Sequence, residues 1–207
     1  APIREGFGLT EASPVVATGT ALSPYREGYI GQALIDTELR TVDDDGNDVP
    51  AESPGELWLR GPQVMQGYWQ RPEETAKVIT ADGWLKTGDI ALLDAEGFVK
   101  IVDRKKDMII SGGENIYPAE VESALCDHPD VAEAAVIGIP DDKWGERIVA
   151  VVQPRAGHTV DATALAAFVK QQIGSIKTPK QIEVWDDLPR SKVGKVLKPD
   201  IRARLTR

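Results

Sequence analysis

Glycine and proline interrupt the first half of this 207-residue chain so often that short strands are what fit between them. Glu38 to Val42 is a strand candidate, followed by the turn-rich run Asp43-Asp44-Asp45-Gly46-Asn47. Glu56-Leu57-Trp58-Leu59-Arg60 alternates as a half-buried strand does. Ile90 to Leu93 and Phe98 to Val102 flank Asp94-Ala95-Glu96-Gly97, which is a hairpin signal. Pro72 to Ile79 is the exception: proline at its first position and acids in its first turn predict a short helix.

Beyond about residue 103 the pattern changes. Pro118 opens an amphipathic helix through Cys126, with Val121 and Leu125 on one face. Ala132 to Ile139 and Ile148 to Val152 are strand candidates. Asp161 caps a helix to about Ile173 whose apolar stripe is Leu165, Phe168 and Val169. Ile182 to Trp185 is a last strand, and Leu197 to Leu205 a terminal helix that Pro199 breaks into. The whole chain is therefore expected to be α+β, with the second half a small α+β unit. The boundary is expected at Asp103 to Lys106, where a hairpin ends and a charged run begins, giving domains 1–103 and 104–207.

The net charge of −9 argues against a nucleic-acid partner, which would be held by clustered Lys and Arg, and against a polybasic membrane contact. Local clusters, Arg104-Lys105-Lys106 and Arg190 with Lys192, Lys195 and Lys198, still suit small anions. No apolar run approaches the roughly 20 residues of a membrane-spanning helix. A single cysteine, Cys126, excludes an internal disulfide framework and fits a reducing cytoplasm.

Four clusters carry potential chemistry. In Phe7-Gly8-Leu9-Thr10-Glu11, glycine permits close backbone approach, Thr offers a hydroxyl to phosphate, and Glu is a hard oxygen ligand suited to Mg²⁺; alone, it reads better as a loop with a satisfied Thr and an exposed Glu. In Trp84-Leu85-Lys86-Thr87-Gly88-Asp89, an ionised Asp suits the vicinal hydroxyls of a ribose, and equally a loop Asp opening the strand at Ile90. The run Asp103 to Asn115 reads as a solvated charge run and a buried strand, with Gly112-Gly113 as a weak phosphate-loop signal. In Leu188 to Val196, a Gly194-Lys195 pair on a mobile loop presents an ammonium to an anion; no Walker spacing is present.

Taken in order, the clusters gain meaning. Phe7-Gly8-Leu9-Thr10-Glu11, Gly55-Glu56-Leu57, Gly67-Tyr68-Trp69, Lys86-Thr87-Gly88-Asp89, Asp103-Arg104-Lys105-Lys106-Asp107, Ser111-Gly112-Gly113-Glu114-Asn115-Ile116-Tyr117-Pro118 and Val193-Gly194-Lys195 resemble the ordered signature of adenylate-forming enzymes. That superfamily includes acyl- and aryl-CoA synthetases, peptide-synthetase adenylation domains and beetle luciferases. The runs Glu5 to Pro14 and Gly61 to Trp69 look most like the fatty-acid–CoA ligases. The resemblance implies the C-terminal part of a large, β-rich, distorted-barrel domain followed by a small mobile domain. The family's Ser/Thr/Gly-rich phosphate loop has no counterpart here, so the chain is expected to be a fragment, inactive alone.

The resemblance also implies roles. Thr10 would contact phosphate with Gly8 beside it, Glu11 would hold Mg²⁺, and Asp89 would grip the ribose of ATP, with Thr87 nearby and Arg104 assisting. Lys195 would serve the adenylation step, Lys106 would be the hinge, and Gly112 and Gly113 would come to the approach of coenzyme A. Trp144, in Asp142-Lys143-Trp144-Gly145-Glu146, reads either as surface packing or as lining that approach. The implied substrates are a fatty acid, ATP and CoA, in a cytoplasmic enzyme; oligomerisation and peripheral membrane contact through the rest of the parent chain stay open. The rival readings are an adenylation domain that loads a carrier-protein thiol, and a non-catalytic nucleotide-binding or assembly fragment. Cys126 reads as packed, not nucleophilic. Thr41 to Glu52 puts Asp43, Asp45, Gly46 and Glu52 in register with a calcium loop but lacks its first carboxylate, and reads as a hairpin turn.

Overall fold

The computed structural model describes residues 3–20 and 23–206. They divide into two compact units, one ending at Lys106 and the other beginning at Asp107.

The first unit is a seven-stranded antiparallel sheet. Its strands are β1 (Gly6–Gly8), β2 (Val15–Thr18), β3 (Gly31–Ala33), β4 (Glu38–Val42), β5 (Gly55–Arg60), β6 (Leu85–Leu93) and β7 (Phe98–Arg104), in the order β1-β2-β3-β7-β6-β5-β4. A short helix, α1 (Pro72–Val78), lies between β5 and β6, with Pro72 in its first turn and no buried residue. The sheet is open: β1 and β4 are its edges, and no closed barrel forms among the described residues. Leu57, Leu59, Ala17, Val99 and Ala91 fill its core beside Phe7 and Leu39. On another part of the sheet, Arg40 of β4 stacks between the indoles of Trp58 and Trp84, at 4.9 and 4.3 Å from the ring centres, while Lys86 and Arg60 cover the outer indole positions.

The connection after β4 is a turn, as its composition predicts. The Asp43 carboxylate accepts from the backbone N–H groups of Asp45 and Asn47 at 3.0 and 2.9 Å, which gives that carboxylate a structural role.

In the second unit, β8 (Ile109–Ser111) and β9 (Glu114–Ile116) form a tight hairpin, followed by α2 (Pro118–Cys126). A long antiparallel hairpin, β10 (Val131–Asp141) and β11 (Gly145–Pro154), makes the spine of the sheet. Then come α3 (Ala162–Lys177), β12 (Gln181–Val184), which pairs parallel with β11, and α4 (Lys198–Leu205). The strand runs Ala134 to Ile139 and Ile148 to Val152 are almost wholly apolar because both faces are covered. Val136, Ile148, Ala150 and Val152 meet α2 and α3 through Val121, Leu125, Leu165 and Val169. Ala135, Ile137, Val149 and Val151 face the other way, toward Leu188 and Ile201 of α4. Cys126 packs at the first of these cores, and burial pushes its thiol above the usual range, away from the nucleophilic thiolate.

One reading of the second half needs correction. Pro199 does not break the last helix: α4 begins at Lys198, so the proline sits in the first turn, where it has no hydrogen bond to lose. The first helical stretch of α3 ends at Ile173, because Gly174 is non-helical at φ 82°, and a short further turn runs to Lys177. Among the described residues no helix is long and apolar enough to cross a membrane.

The carboxylate of Asp161 caps α3 by accepting from the N–H groups of Thr163 and Ala164 at 2.8 and 3.2 Å. Asp161→Ala should therefore weaken the second unit by about 1 kcal/mol, whereas emptying the core at fully buried Leu165 with Leu165→Ala should cost about 2–5 kcal/mol. Hydrogen exchange at the α3 amides measures both; equal effects would contradict this division between cap and core.

Candidate functional site

The segment Lys86 to Asp89 lies inside β6, because the strand starts at Leu85 and not at Ile90. Pairing with β5 runs Leu59 with Leu85 and Trp58 with Lys86, then resumes at Glu56 with Ile90. Three residues of β6, Thr87, Gly88 and Asp89, thus oppose Leu57 alone, and the chain bulges. Two side-chain contacts fix the bulge. Thr87 donates its hydroxyl to the Leu57 carbonyl at 2.7 Å and accepts from the Asp89 N–H at 3.0 Å. Glu56, itself buried, accepts the Gly88 N–H at 3.2 Å and the Lys105 ammonium at 3.0 Å.

Asp89 is 3% exposed. Burial pushes its carboxyl up, Arg104 pulls it back, and the Glu56 charge adds to the rise. The Arg104 Nε lies 2.9 Å from the Asp89 Oδ1, from the paired position on β7. A buried carboxylate with one half-exposed arginine for company is poorly compensated. Lys105 also pairs with Asp44 at 2.8 Å; burial disfavours its charge, but the bonds to Asp44 and Glu56 outweigh that and raise its pKa.

Beside this bulge a cavity of about 370 Å³ opens, lined by Gly8, Thr10, Glu11, Tyr68, Thr87 and Arg104 among others. The structure therefore brings together the first sequence cluster, Leu85 to Thr87 of the second and the arginine of the third; Asp89 is not among the lining residues and adjoins them through its ion pair with Arg104. Gly8 stands where β1 turns toward β2: a Cβ there would lie 1.9 Å from the Pro14 carbonyl oxygen, so the glycine is required by the turn itself. Thr10 is exposed and Glu11 half-buried in a single turn of 3-10 helix, Thr10–Ala12. The Thr87 hydroxyl, by contrast, is committed to backbone.

The Glu11 carboxylate accepts the Tyr68 hydroxyl at 2.9 Å through Oε1. That bond, more than burial, raises the phenol's pKa, so Tyr68 stays a donor. No group of three acidic, His or Cys side chains able to hold a metal occurs among the described residues. A cation at Glu11 would thus have one protein carboxylate and complete its shell with water and phosphate oxygens, a donor set that suits Mg²⁺.

The second unit carries its candidates separately. Gly112 and Gly113 both have left-handed backbones, φ 62° and 85°, and join Ser111 to Glu114 as a two-residue hairpin turn. The Gly112 N–H donates to the Trp144 carbonyl at 2.8 Å. Trp144, 36% exposed, lines a recess of about 450 Å³ with Gly112, Glu114, Ile176 and Lys180. The ammonium groups of Lys143 and Lys180 lie 4.8 and 5.3 Å from its ring centre.

Lys195 is exposed at the end of a small loop closed by the Arg190–Val196 bridge and by the Ser191 N–H to the Lys195 carbonyl at 2.8 Å. Arg190 holds the base through Glu133 and Gln153, leaving Lys195 with no ion pair among the described residues. Lys106 is exposed at the last position of the first unit. The sequence reading gave no roles to Glu56, Tyr68, Lys105 and Lys180. Glu56 and Tyr68 stood within quoted motifs, but their partners are distant along the chain.

Residues 1–69 match the AMP-binding enzyme family and residues 120–195 the AMP-binding enzyme C-terminal domain. The chain is 47% identical over 201 residues to a long-chain-fatty-acid–CoA ligase of Escherichia coli O6:H1, covering 97% of this chain and 35% of that protein. It is 45% identical to a feruloyl-CoA synthase of an Amycolatopsis species, over 97% of this chain and 41% of that one. Among solved structures, ATP-bound MatB from Rhodopseudomonas palustris superposes with a TM-score of 0.91 at 35% identity, over 99% of this chain and 41% of that chain. The o-succinylbenzoate CoA synthetase of Bacillus subtilis with its acyl-adenylate intermediate gives 0.86 at 38% identity, over 100% of this chain and 41% of that chain. The chain thus spans little more than a third of the curated relatives it matches.

A group whose folded pKa is raised weakens the fold as it ionises. Asp89 should lower stability as pH climbs from the ordinary aspartate value of 3.8 through its raised folded value. Asp89→Asn removes this dependence, so its stability advantage over the native chain should grow with pH across that window. Denaturant titrations at pH 4 and pH 7 measure it; an advantage that shrinks at pH 7 would contradict the assignment.

Proposed function

The chain belongs to the AMP-binding enzymes, and on that premise we propose that the full-length protein carrying it is an AMP-forming acid–thiol ligase that converts a fatty acid to its CoA thioester. The observation that carries this reading is the cavity where Thr10, Glu11 and Arg104 meet, with Arg104 paired to the buried carboxylate of Asp89. The 47% identity to a long-chain-fatty-acid–CoA ligase supports the choice of acid.

In the first step a carboxylate oxygen attacks the α-phosphorus of ATP, and the bond to the pyrophosphate oxygen breaks. In the second, the CoA sulfur attacks the acyl carbon, its proton is lost, and AMP leaves with the bridging oxygen. Both steps gather negative charge on oxygen, so fixed donors and cations supply most of the acceleration. Thr10 donates to phosphate, and Asp89 accepts from the ribose hydroxyls with Arg104 holding its carboxylate. Glu11 would hold Mg²⁺, which when bound neutralises charge on phosphate oxygens. The unpaired ammonium of Lys195 approaches the oxygens that react during adenylation.

For the second step, Trp144 beside the Gly112-Gly113 turn offers an aromatic wall, and Lys180 a cation, to CoA. The junction at residues 103–106 divides the end of the large domain from a small mobile one, with Lys106 as hinge. The two compact units that end at Lys106 and begin at Asp107 support that division. We assign the full-length enzyme to the cytoplasm.

The decisive assay supplies the full-length protein with ATP, Mg²⁺, CoA and acids of graded length. AMP and acyl-CoA with long-chain acids are expected. Acid-dependent pyrophosphate exchange without thioester would indicate a carrier-loading enzyme, and no turnover a nucleotide-binding module. Lys195→Ala should lower adenylation a hundredfold or more, on the order of one lost stabilising group, yet spare thioester formation from supplied acyl-adenylate. Lys106→Pro should do the reverse, sparing pyrophosphate exchange and slowing thioester formation. Parallel loss of both half-reactions in either variant would count against the division of labour.

A further inference from the structure

Glu11 sits on one short turn, and a single carboxylate with free torsions is a poor metal ligand unless something orients it. The loop between β5 and α1 supplies that constraint. Its Met65 N–H donates to the Glu11 carbonyl at 2.8 Å, tying the loop to the turn by backbone. The Tyr68 N–H donates to the Thr75 hydroxyl at 2.9 Å, and that hydroxyl donates to the Arg71 carbonyl at 2.9 Å, tying the same loop to the start of α1. Between these anchors the Tyr68 ring enters the cavity, 37% exposed, and its hydroxyl donates to Glu11 Oε1 at 2.9 Å. The neighbouring Trp69 points to solvent at 87% exposure, so the loop turns one aromatic ring in and one out.

We propose that Tyr68 is a positioning residue for the metal–nucleotide complex: its hydroxyl occupies one oxygen of Glu11 and thereby presents the other to the cation. This rests on the reading of Glu11 as the metal-holding carboxylate. The chemistry is that of an outer-shell donor, which fixes the orientation of a ligand and typically changes metal affinity by 10–100-fold when removed. The loop carrying Tyr68 reaches Glu11 from 57 residues away, with one anchor at Met65 and one at the backbone of the tyrosine itself.

The test compares Tyr68→Phe, Glu11→Gln and the double variant in the full-length protein. The readout is Mn²⁺ binding in the presence of a non-hydrolysable ATP analogue, followed by the electron paramagnetic resonance of free Mn²⁺. Tyr68→Phe should weaken Mn²⁺ binding roughly tenfold, with an unchanged thermal midpoint because the ring remains. The Mg²⁺ concentration for half-maximal pyrophosphate exchange should rise in step, and saturating Mg²⁺ should restore the rate. In the Glu11→Gln background the phenylalanine should add no further loss.

A normal Mn²⁺ affinity for Tyr68→Phe, with Glu11→Gln impaired, overturns the positioning role and leaves the reading of Glu11 intact. Full additivity in the double variant also overturns it, since Tyr68 would then act without Glu11. Normal affinity in Glu11→Gln overturns the metal assignment itself and this inference with it.

Discussion

Where β5 places one residue, Leu57, β6 places three, and the extra length has to be held against the pull of the ladder to close. The buried carboxylate of Glu56 is what holds it. One oxygen takes the Gly88 N–H that the bulge would leave unpaired, and the other takes Lys105, the residue before the last of the first unit. Burying a carboxylate is costly unless its oxygens are satisfied, and here both are. Asp89 next to it is the opposite case. It is more buried than Glu56 and has only a half-exposed arginine, so its environment works against its charge. One acid keeps the backbone in shape; the other is left with capacity to bind.

The second unit solves a different problem with apolar packing. Its long hairpin is covered on both faces, so neighbouring residues of one strand belong to different cores, as Val136 and Ile137 do. A hairpin so enclosed is a rigid base for what projects from its ends. The Gly112-Gly113 turn and Trp144 lie at one such end, joined by the pairing of Ser111 with Gly145. The loop of Lys195 is fastened to the strands by Arg190 on Glu133 and Gln153. Polar side chains are thereby presented on frames with few soft torsions, which limits how far they wander from a productive geometry.

Much of this was legible from local pattern. Continuous apolar runs announced β10 and β11, proline and acids announced α1, and Asp161 announced the start of α3. Three-residue strands such as β3 were not, because Gly31 to Ala33 has no pattern of its own and is a strand only through its ladders to Ala17 and Thr18 on one side and Val99 and Phe98 on the other. Lys86 to Asp89 looked like a loop since such residues seldom favour strands, and it was distant pairing with Leu59 and Trp58 that made it one. Gly8, Thr10, Glu11 and Arg104, all singled out by their motifs, line one cavity, but local pattern could not tell that Thr87 commits its hydroxyl to Leu57 or that Tyr68 reaches Glu11. Composition reveals what a residue can donate; only the fold reveals to whom.

The stack of Arg40 between Trp58 and Trp84 has a consequence for observation. Of the five tryptophans, these two are buried under cations in the first unit, Trp69 stands in solvent, and Trp144 and Trp185 lie in the second unit beneath Lys143, Lys180 and Arg204. Each unit therefore carries its own light-emitting probe in a distinct electrostatic setting. Loss of the guanidinium sandwich and loss of the lysine-flanked indole would change emission independently. Intrinsic fluorescence can then report whether the two units come apart in one transition or in two, with no label attached.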